Sequence, residues 1–244
     1  MRAILAPFFL FAGMTGSVLA QNKFESDVLS TAAGEVRITF VGHGSLYFEF
    51  DGKVIHVDPW GKLADYAKLP QADVILVTHE HHDHLDPAAI RAIRTSNTVV
   101  VLTADCTGKV KGGLVMKNGD VQTVAGVKVE AVPAYNIVHK REDGQPYHPK
   151  GAGNGYILTF GDKRIYVAGD TENTPEMKAL KDIAVAFLPM NTPFTMSPAM
   201  VADAAKAFKP RILYPYHFGE TDPTRLTALL TDVPGIEIRL RKMP

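Results

Sequence analysis

Cysteine is almost missing from this chain. Cys106 is the only one in 244 residues, which excludes a disulfide framework and any metal site built from several thiolates. Net charge is missing too: 26 Lys+Arg balance 26 Asp+Glu. That balance removes the electrostatic footprint of a general nucleic-acid binder. Beyond the N-terminus there is no long apolar run to read as a membrane-spanning helix. What is present is ordinary for a globular fold, 46% hydrophobic and 21% charged residues, and this excludes disorder, collagen and coiled coil. The length suits one large domain or two small ones with a substantial core. The unusual number is nine histidines.

The N-terminus has one positive charge, Arg2, then the apolar stretch Ala3 to Ala12, then small residues up to Val18-Leu19-Ala20. This is the order of a secretory signal peptide, with cleavage expected after Ala20. Residues 1–20 are therefore read as the signal. Residues 21–244 are read as a single soluble domain, periplasmic or secreted and without stable membrane insertion after cleavage.

From Val36 onward the chain alternates short β-rich runs with turn signals. Val36–Val41, Leu46–Phe50 and Lys53–Asp58 read as strands, the last two joined by the turn Asp51-Gly52. Lys62–Lys68 is compatible with a helix, and Asp73–Thr78 reads as a fully buried strand. Asp86-Pro87 pairs an N-cap with a first-turn proline for a helix through Arg94, and Val99–Leu102 follows as a strand. The second half repeats the plan. Tyr156–Phe160 and Arg164–Val167 form a hairpin, Pro175–Lys181 a short helix and Ile183–Leu188 a buried strand. Ser197-Pro198 then opens a helix through Phe208, followed by the strand Arg211–Tyr214 and the helix Pro223–Leu230. Two similar halves, each a sheet with helices on one side, bury both sheets by packing face to face. The expected fold is α/β, a four-layer αββα sandwich with internal pseudo-duplication.

The strand ending at Thr78 runs into His79-Glu80-His81-His82-Asp83-His84. Extended backbone sends alternate side chains to one face, so His79 and His81 point together, as two imidazoles gripping one cation would. Asp83 and His84 follow where the chain turns, offering a carboxylate and an imidazole to a second cation. Imidazole and carboxylate without thiolate are ligands for zinc, and also for iron or manganese.

The pattern His79-x-His81-x-Asp83-His84 resembles the signature of the metallo-β-lactamase superfamily. The resemblance runs from about Gly42-His43-Gly44-Ser45 to His217. Its landmarks are Val57-Asp58-Pro59, His148-Pro149-Lys150-Gly151, Ala168-Gly169-Asp170-Thr171 and Tyr214-Pro215-Tyr216-His217-Phe218-Gly219. The nearest branch is similar to the stand-alone hydrolases typified by ascorbate-6-phosphate lactonase and N-acyl-phosphatidylethanolamine phospholipase D. The resemblance implies the αββα fold and a two-metal centre, with two zinc ions expected and Mn2+ or Fe2+ as alternatives. It implies that His79 and His81 bind the first metal with a third histidine, and that Asp83, His84 and His217 bind the second. Asp170 would bridge both. For the third histidine, His148 is preferred to His139, because the glycines after it fix the backbone.

The remaining histidines differ in prospect. His82 is expected to be exposed and His56 half-buried and structural; His43 is placed near the metals, either in contact with a ligand or in ordinary hydrogen bonding. Asp58 is positioned to orient a liganding ring. Cys106 reads as a small buried hydrophobe. Trp60, Tyr135, Tyr147 and the loop Met190–Met196 are candidate pocket walls, with Phe194 and Met196 on the lip.

Two cations sharing a water make a hydroxide available near neutral pH, so the expected activity is hydrolysis of a small molecule at a carbonyl or phosphoryl centre. Asp83 and Asp170 are the candidate catalytic residues, Asp83 by passing a proton and Asp170 by holding the pair. The superfamily's true β-lactamases usually replace His84 or lack the Asp170 equivalent, which turns the reading away from antibiotics and towards a lactone, amide, ester or phosphodiester. Two alternatives share the same ligands: an iron-binding redox protein, and a metal-binding protein without catalysis.

Overall fold

Residues 24–244 are described by the computed structural model; the expected signal peptide, residues 1–20, lies outside them. The first sheet contains β1 (Glu25–Thr31), β2 (Gly34–Gly42), β3 (Ser45–Phe50), β4 (Lys53–Val57), β5 (Ala72–Leu76), β6 (Arg94–Leu102) and β7 (Leu114–Val115) in sequential order. The second contains β8 (Val121–Val124), β9 (Val127–Ala134), β10 (Gly153–Phe160), β11 (Lys163–Val167), β12 (Ile183–Pro189), β13 (Ile212–Tyr216) and β14 (Glu237–Ile238), again in sequential order. In both sheets three antiparallel pairings precede three parallel ones. The duplication read from the two hairpins thus extends to every strand.

Period-two alternation sorts the side chains between layers. In β5, Val74 and Leu76 join the core shared by the two sheets. Ile75 and the following Val77 instead join Ile90 and Ile93 of helix α1 (Pro87–Ile93). Between the sheets Phe48 meets Phe160 with ring centroids 5.5 Å apart, and Phe40 meets Phe187 at 6.2 Å. The outer face of the second sheet is covered by α2 (Pro175–Lys178), α3 (Pro198–Phe208) and α4 (Thr224–Leu230). Caps define these helices: Asp86 accepts from the Ala88 and Ala89 amides, Thr174 from Met177, and Ser197 from Met200, each followed by proline.

Two helices expected from the sequence are cut short. Lys62–Lys68 forms only a 3-10 turn over Tyr66–Lys68, started by the Asp65 side chain accepting from Ala67 N. Its single buried residue, Tyr66, gives it too narrow an apolar face to extend. The helix from Pro175 ends at Lys178 rather than Lys181, and the chain turns through Asp182 at φ 56° into β12.

His56, expected to be half-buried, is fully buried against Tyr47 and donates from Nε2 to the Pro70 carbonyl at 3.0 Å. Burial lowers its pKa to about 4, outweighing that hydrogen bond. The unfolded chain therefore takes up this proton first as the pH falls. The contribution is complete above pH 6.5 and is lost between 6.5 and 4, about 3 kcal/mol in all. Urea unfolding at pH 7, 5.5 and 4 measures it, and His56→Gln is expected to flatten the acid slope by about one proton.

Candidate metal centre

The parallel strands of both sheets end at one edge, where open α/β sheets place their ligands. From the first sheet, β4 delivers Asp58 and β5 delivers Thr78 and His79. Asp58 is fully buried, with φ 44°. It accepts from Thr78 N at 2.8 Å, from Thr78 Oγ1 at 2.7 Å and from His84 Nδ1 at 2.8 Å. Thr78 Oγ1, its proton given to Asp58, is left to accept from His79 Nδ1 at 3.0 Å. Each ring is thereby held with Nδ1 as the donor, which leaves Nε2 as the atom to turn to a cation, the tautomer a metal ligand needs when the ring is neutral. Gly44 is required beside this arrangement, because a Cβ there would stand 2.8 Å from His84 Cε1.

The long loop between β9 and β10 brings in His148. Its Nδ1 and backbone N both donate to Asn136 Oδ1, at 2.7 and 3.0 Å. Its Nε2 lies 3.2 Å from His81 Nδ1 and 3.3 Å from Asp170 Oδ2. His139 is placed elsewhere, its Nδ1 2.7 Å from Glu172 Oε1.

The second sheet contributes Asp170 after β11 and His217 after β13. Gly169 precedes Asp170 at φ 64°, and its N–H donates to Tyr216 Oη at 2.9 Å. Asp170 Oδ1 is 3.4 Å from His84 Nε2; its Oδ2 is 3.5 Å from His217 Nε2 and 4.0 Å from His79 Nε2. His217 Nε2 is 3.6 Å from Asp83 Oδ2. The candidate ligand atoms of His79, His81 and His148 form one group and those of His43, Asp83, His84 and His217 another, the atoms in each lying within 4.8 Å of one another. Asp170 groups with His79 and His84 between them.

The donor set fits divalent cations. Among the described residues, the buried side-chain atoms without a hydrogen-bond partner are His79 Nε2, His84 Nε2, both His217 ring nitrogens, Asp170 Oδ1 and, apart from this site, Tyr166 Oη. Buried polar atoms are otherwise almost always paired, and five orphans gathered at one edge call for an ion. Charge agrees. Burial, with its neighbouring imidazoles, pushes His79 well below its ordinary range, and burial with His148 takes His81 to about 4. Burial opposes ionisation of Asp170, yet His217 and His84 hold its carboxyl well below the usual range. His84 goes the other way: against burial, the Asp170, Asp58 and Asp83 carboxylates raise it to about 9. Imidazoles kept neutral beside ionised carboxylates offer the lone pairs and the negative charge that a divalent cation takes up.

Asn136 and Glu172 are not visible in the sequence as site residues, whereas His43 is expected near the metals and is found there. His43 joins the second group, its Nε2 3.1 Å from Asp83 Oδ2 and its ring 3.7 Å from that of His217. Asn136 and Glu172, far apart in sequence, hold the His148 loop: Asn136 Nδ2 donates to Glu172 Oε1 at 3.2 Å. Of the candidate pocket walls, Tyr135, Met190 and Met196 are buried, the two methionines completely. Phe194 is exposed and meets Tyr147 edge-on at 5.1 Å. Replacing Asn136 with Ala frees the His148 ring, and a 10- to 100-fold loss of metal affinity is expected by competition with a chromogenic chelator, about the usual effect of losing a ligand's outer partner.

A family model described as a beta-lactamase superfamily domain matches residues 37–217, and the chain belongs to that superfamily. A metal-dependent hydrolase of the UPF0173 group from Methanopyrus kandleri is 32% identical over 200 residues, covering 77% of this chain and 86% of its own. Among solved structures, a candidate metal-dependent hydrolase from Parabacteroides distasonis is 49% identical with a TM-score of 0.87, covering 91% of this chain and all of its own. Igni18, a metallo hydrolase from Ignicoccus hospitalis, is 25% identical with a TM-score of 0.70, covering 85% and 95%.

Proposed function

We propose that the chain is an exported, binuclear metal-dependent hydrolase acting on a small molecule. His79, His81 and His148 would hold one cation, Asp83, His84 and His217 the other, with Asp170 between. The observation that carries this reading is the set of unpartnered buried atoms on His79, His84, His217 and Asp170, converging from two sheets. Imidazole and carboxylate donors favour zinc and admit manganese or iron. The resemblance of the relatives to this chain, and their description as metal-dependent hydrolases, support the class of reaction.

Bound divalent metal supplies an acidified water near neutral pH and a Lewis acid for a carbonyl or phosphoryl oxygen. The side chains of this protein do the rest. Asp83 is the most open carboxylate of the cluster, its side chain 21% exposed against 4% for Asp170. It is placed to take a proton at its carboxylate and return it to a leaving group. Asp170 offsets cationic charge from a buried position. Asp58 and Asn136 keep His84 and His148 in the liganding tautomer. A lactone, amide, ester or phosphodiester suits such a centre, as the motif resemblance to the lactonase and phospholipase branch suggests. The signal-like residues 1–20 support a reaction in the periplasm or outside the cell.

The test is a panel of lactones, esters, amides and phosphodiesters offered to the mature chain with and without chelator, with metal content measured in parallel. The expected result is turnover of at least one class, abolished by chelation and restored by zinc. Protein that retains two metals and turns over none would leave only a binding role.

A further inference from the structure

We propose that the exposed rim formed by Ile137, Val138 and Phe194 beside Tyr147 seats an apolar acyl group of the substrate. This deepens the hydrolase reading above and rests on it for the identity of the occupant. The three residues are 46%, 67% and 43% exposed, an unusual concentration of large apolar side chains on loops. The residues that follow, Lys140 to Asp143, are polar, as loop tips ordinarily are.

The rim is fixed in place. Glu172, itself fully buried, accepts from the backbone N–H of Ile137, Val138 and His139 at 2.7, 2.6 and 2.8 Å. Asn136 Nδ2 donates to the Phe194 carbonyl at 2.9 Å, tying the second loop to the first. The same Asn136 holds His148 through Oδ1. The backbone that carries these exposed apolar side chains is thus tied to the same residues that hold a candidate metal ligand.

Phe194, at one end of the rim, also connects to the reaction site. A small cavity bounded by His79, His81, His148 and Asp170 has Tyr147 in its wall, and Tyr147 touches Phe194. A substrate whose carbonyl lies at the cations would extend its acyl chain past Tyr147 onto this rim. Continuity with a centre that takes carbonyl compounds favours the substrate's own chain over a lipid surface or a second copy of the protein.

Binding tests this without requiring turnover. Sodium salts of n-alkyl carboxylates from acetate to octanoate are titrated into zinc-loaded protein by calorimetry. The same series is run on Val138→Ser and Phe194→Ser, whose positions are exposed, so folding is kept. Affinity is expected to rise about twofold to fourfold per added methylene in the parent, with the slope flattened in both variants. A flat series in the parent, or an equally steep one in both variants, overturns the proposal. So does a dimer, seen by sedimentation, that Val138→Ser dissociates while the alkyl series stays flat. If the slope appears but no acyl ester, amide or lactone is cleaved, the rim stands and the hydrolase reading fails.

Discussion

Asp170→Asn is expected to lower turnover by about 1,000-fold or more and to leave the protein deficient in metal. The substitution keeps the shape of a residue that is only 5% exposed, so folding is preserved. What it removes is charge. Asp170 oxygens lie 3.3 to 4.0 Å from Nε2 of His148, His84, His217 and His79. An amide nitrogen facing any of these lone pairs would donate to it, occupying the atom a cation needs. Loss of a central anionic ligand removes several kcal/mol of charge stabilisation, and about 4 kcal/mol corresponds to a factor near 1,000 in rate. Metal content by mass spectrometry and kcat on whichever panel substrate is cleaved measure the two effects. A variant holding the parent's metal complement and working within tenfold of its rate would overturn the placing of Asp170 at the centre.

Much of this architecture is readable in residues 36 to 102 and 156 to 230, for a physical reason. Strands such as Val74-Ile75-Leu76 are buried on both faces, and continuous β-branched runs advertise that. Proline after an N-capping Asp, Thr or Ser marks α1, α2 and α3 equally plainly. The elements that escape are those whose signal is diluted. β1, Glu-Ser-Asp-Val-Leu-Ser-Thr, is a half-exposed edge strand carrying two acids, and it is held by pairing with β2 rather than by its own burial. β9 does alternate, with Val127, Val129 and Ala131 buried, but Pro133 argues against a strand until Asn154 is seen opposite it.

The site divides in the same way. His79, His81, Asp83 and His84 are legible because six residues of extended chain impose their geometry. His148, Asp170 and His217 are supplied by resemblance of motif. Nothing local marks Asn136 or Glu172, whose work depends on contacts 12 and 36 residues away along the chain. His43 is set near the metals by resemblance of motif, and the structure adds its contact, Nε2 3.1 Å from Asp83 Oδ2 on backbone at φ 51°. Met190 and Met196 mislead for the opposite reason, since apolar residues in a loop near a site look like a pocket wall, or for Met196 its lip, and are here part of the core.

Asp58→Asn is expected to cost the second metal position 100-fold or more in affinity while changing shape hardly at all. Asp58 can only accept, and that single property fixes three donors: Thr78 N, Thr78 Oγ1 and His84 Nδ1. An asparagine can keep the Thr78 N–H bond with its oxygen, but its Nδ2 then takes the place of Oδ2. That nitrogen donates, so His84 Nδ1 must give up its proton and accept. The ring's proton moves to Nε2, the atom that faces Asp170 at 3.4 Å, and a protonated Nε2 cannot ligate. Thr78 Oγ1 must also turn from donor to acceptor on that side, so its own proton loses the carboxylate that received it, next to the bond from His79 Nδ1. One atom exchanged for another therefore reverses the polarity of a relay reaching both metal groups, where loss of an ordinary outer partner costs only about 10- to 100-fold. Asp58→Ala is the harsher control: it strands buried donors and is expected to lose about 3 kcal/mol or more of stability by urea unfolding. Nitrogen-15 spectra of the His84 ring, taken in the metal-free protein at a pH well above its raised pKa of about 9, where the ring is neutral, distinguish the two tautomers. Finding the proton still on Nδ1 in Asp58→Asn, with second-metal affinity unchanged, would show that Asp58 only packs.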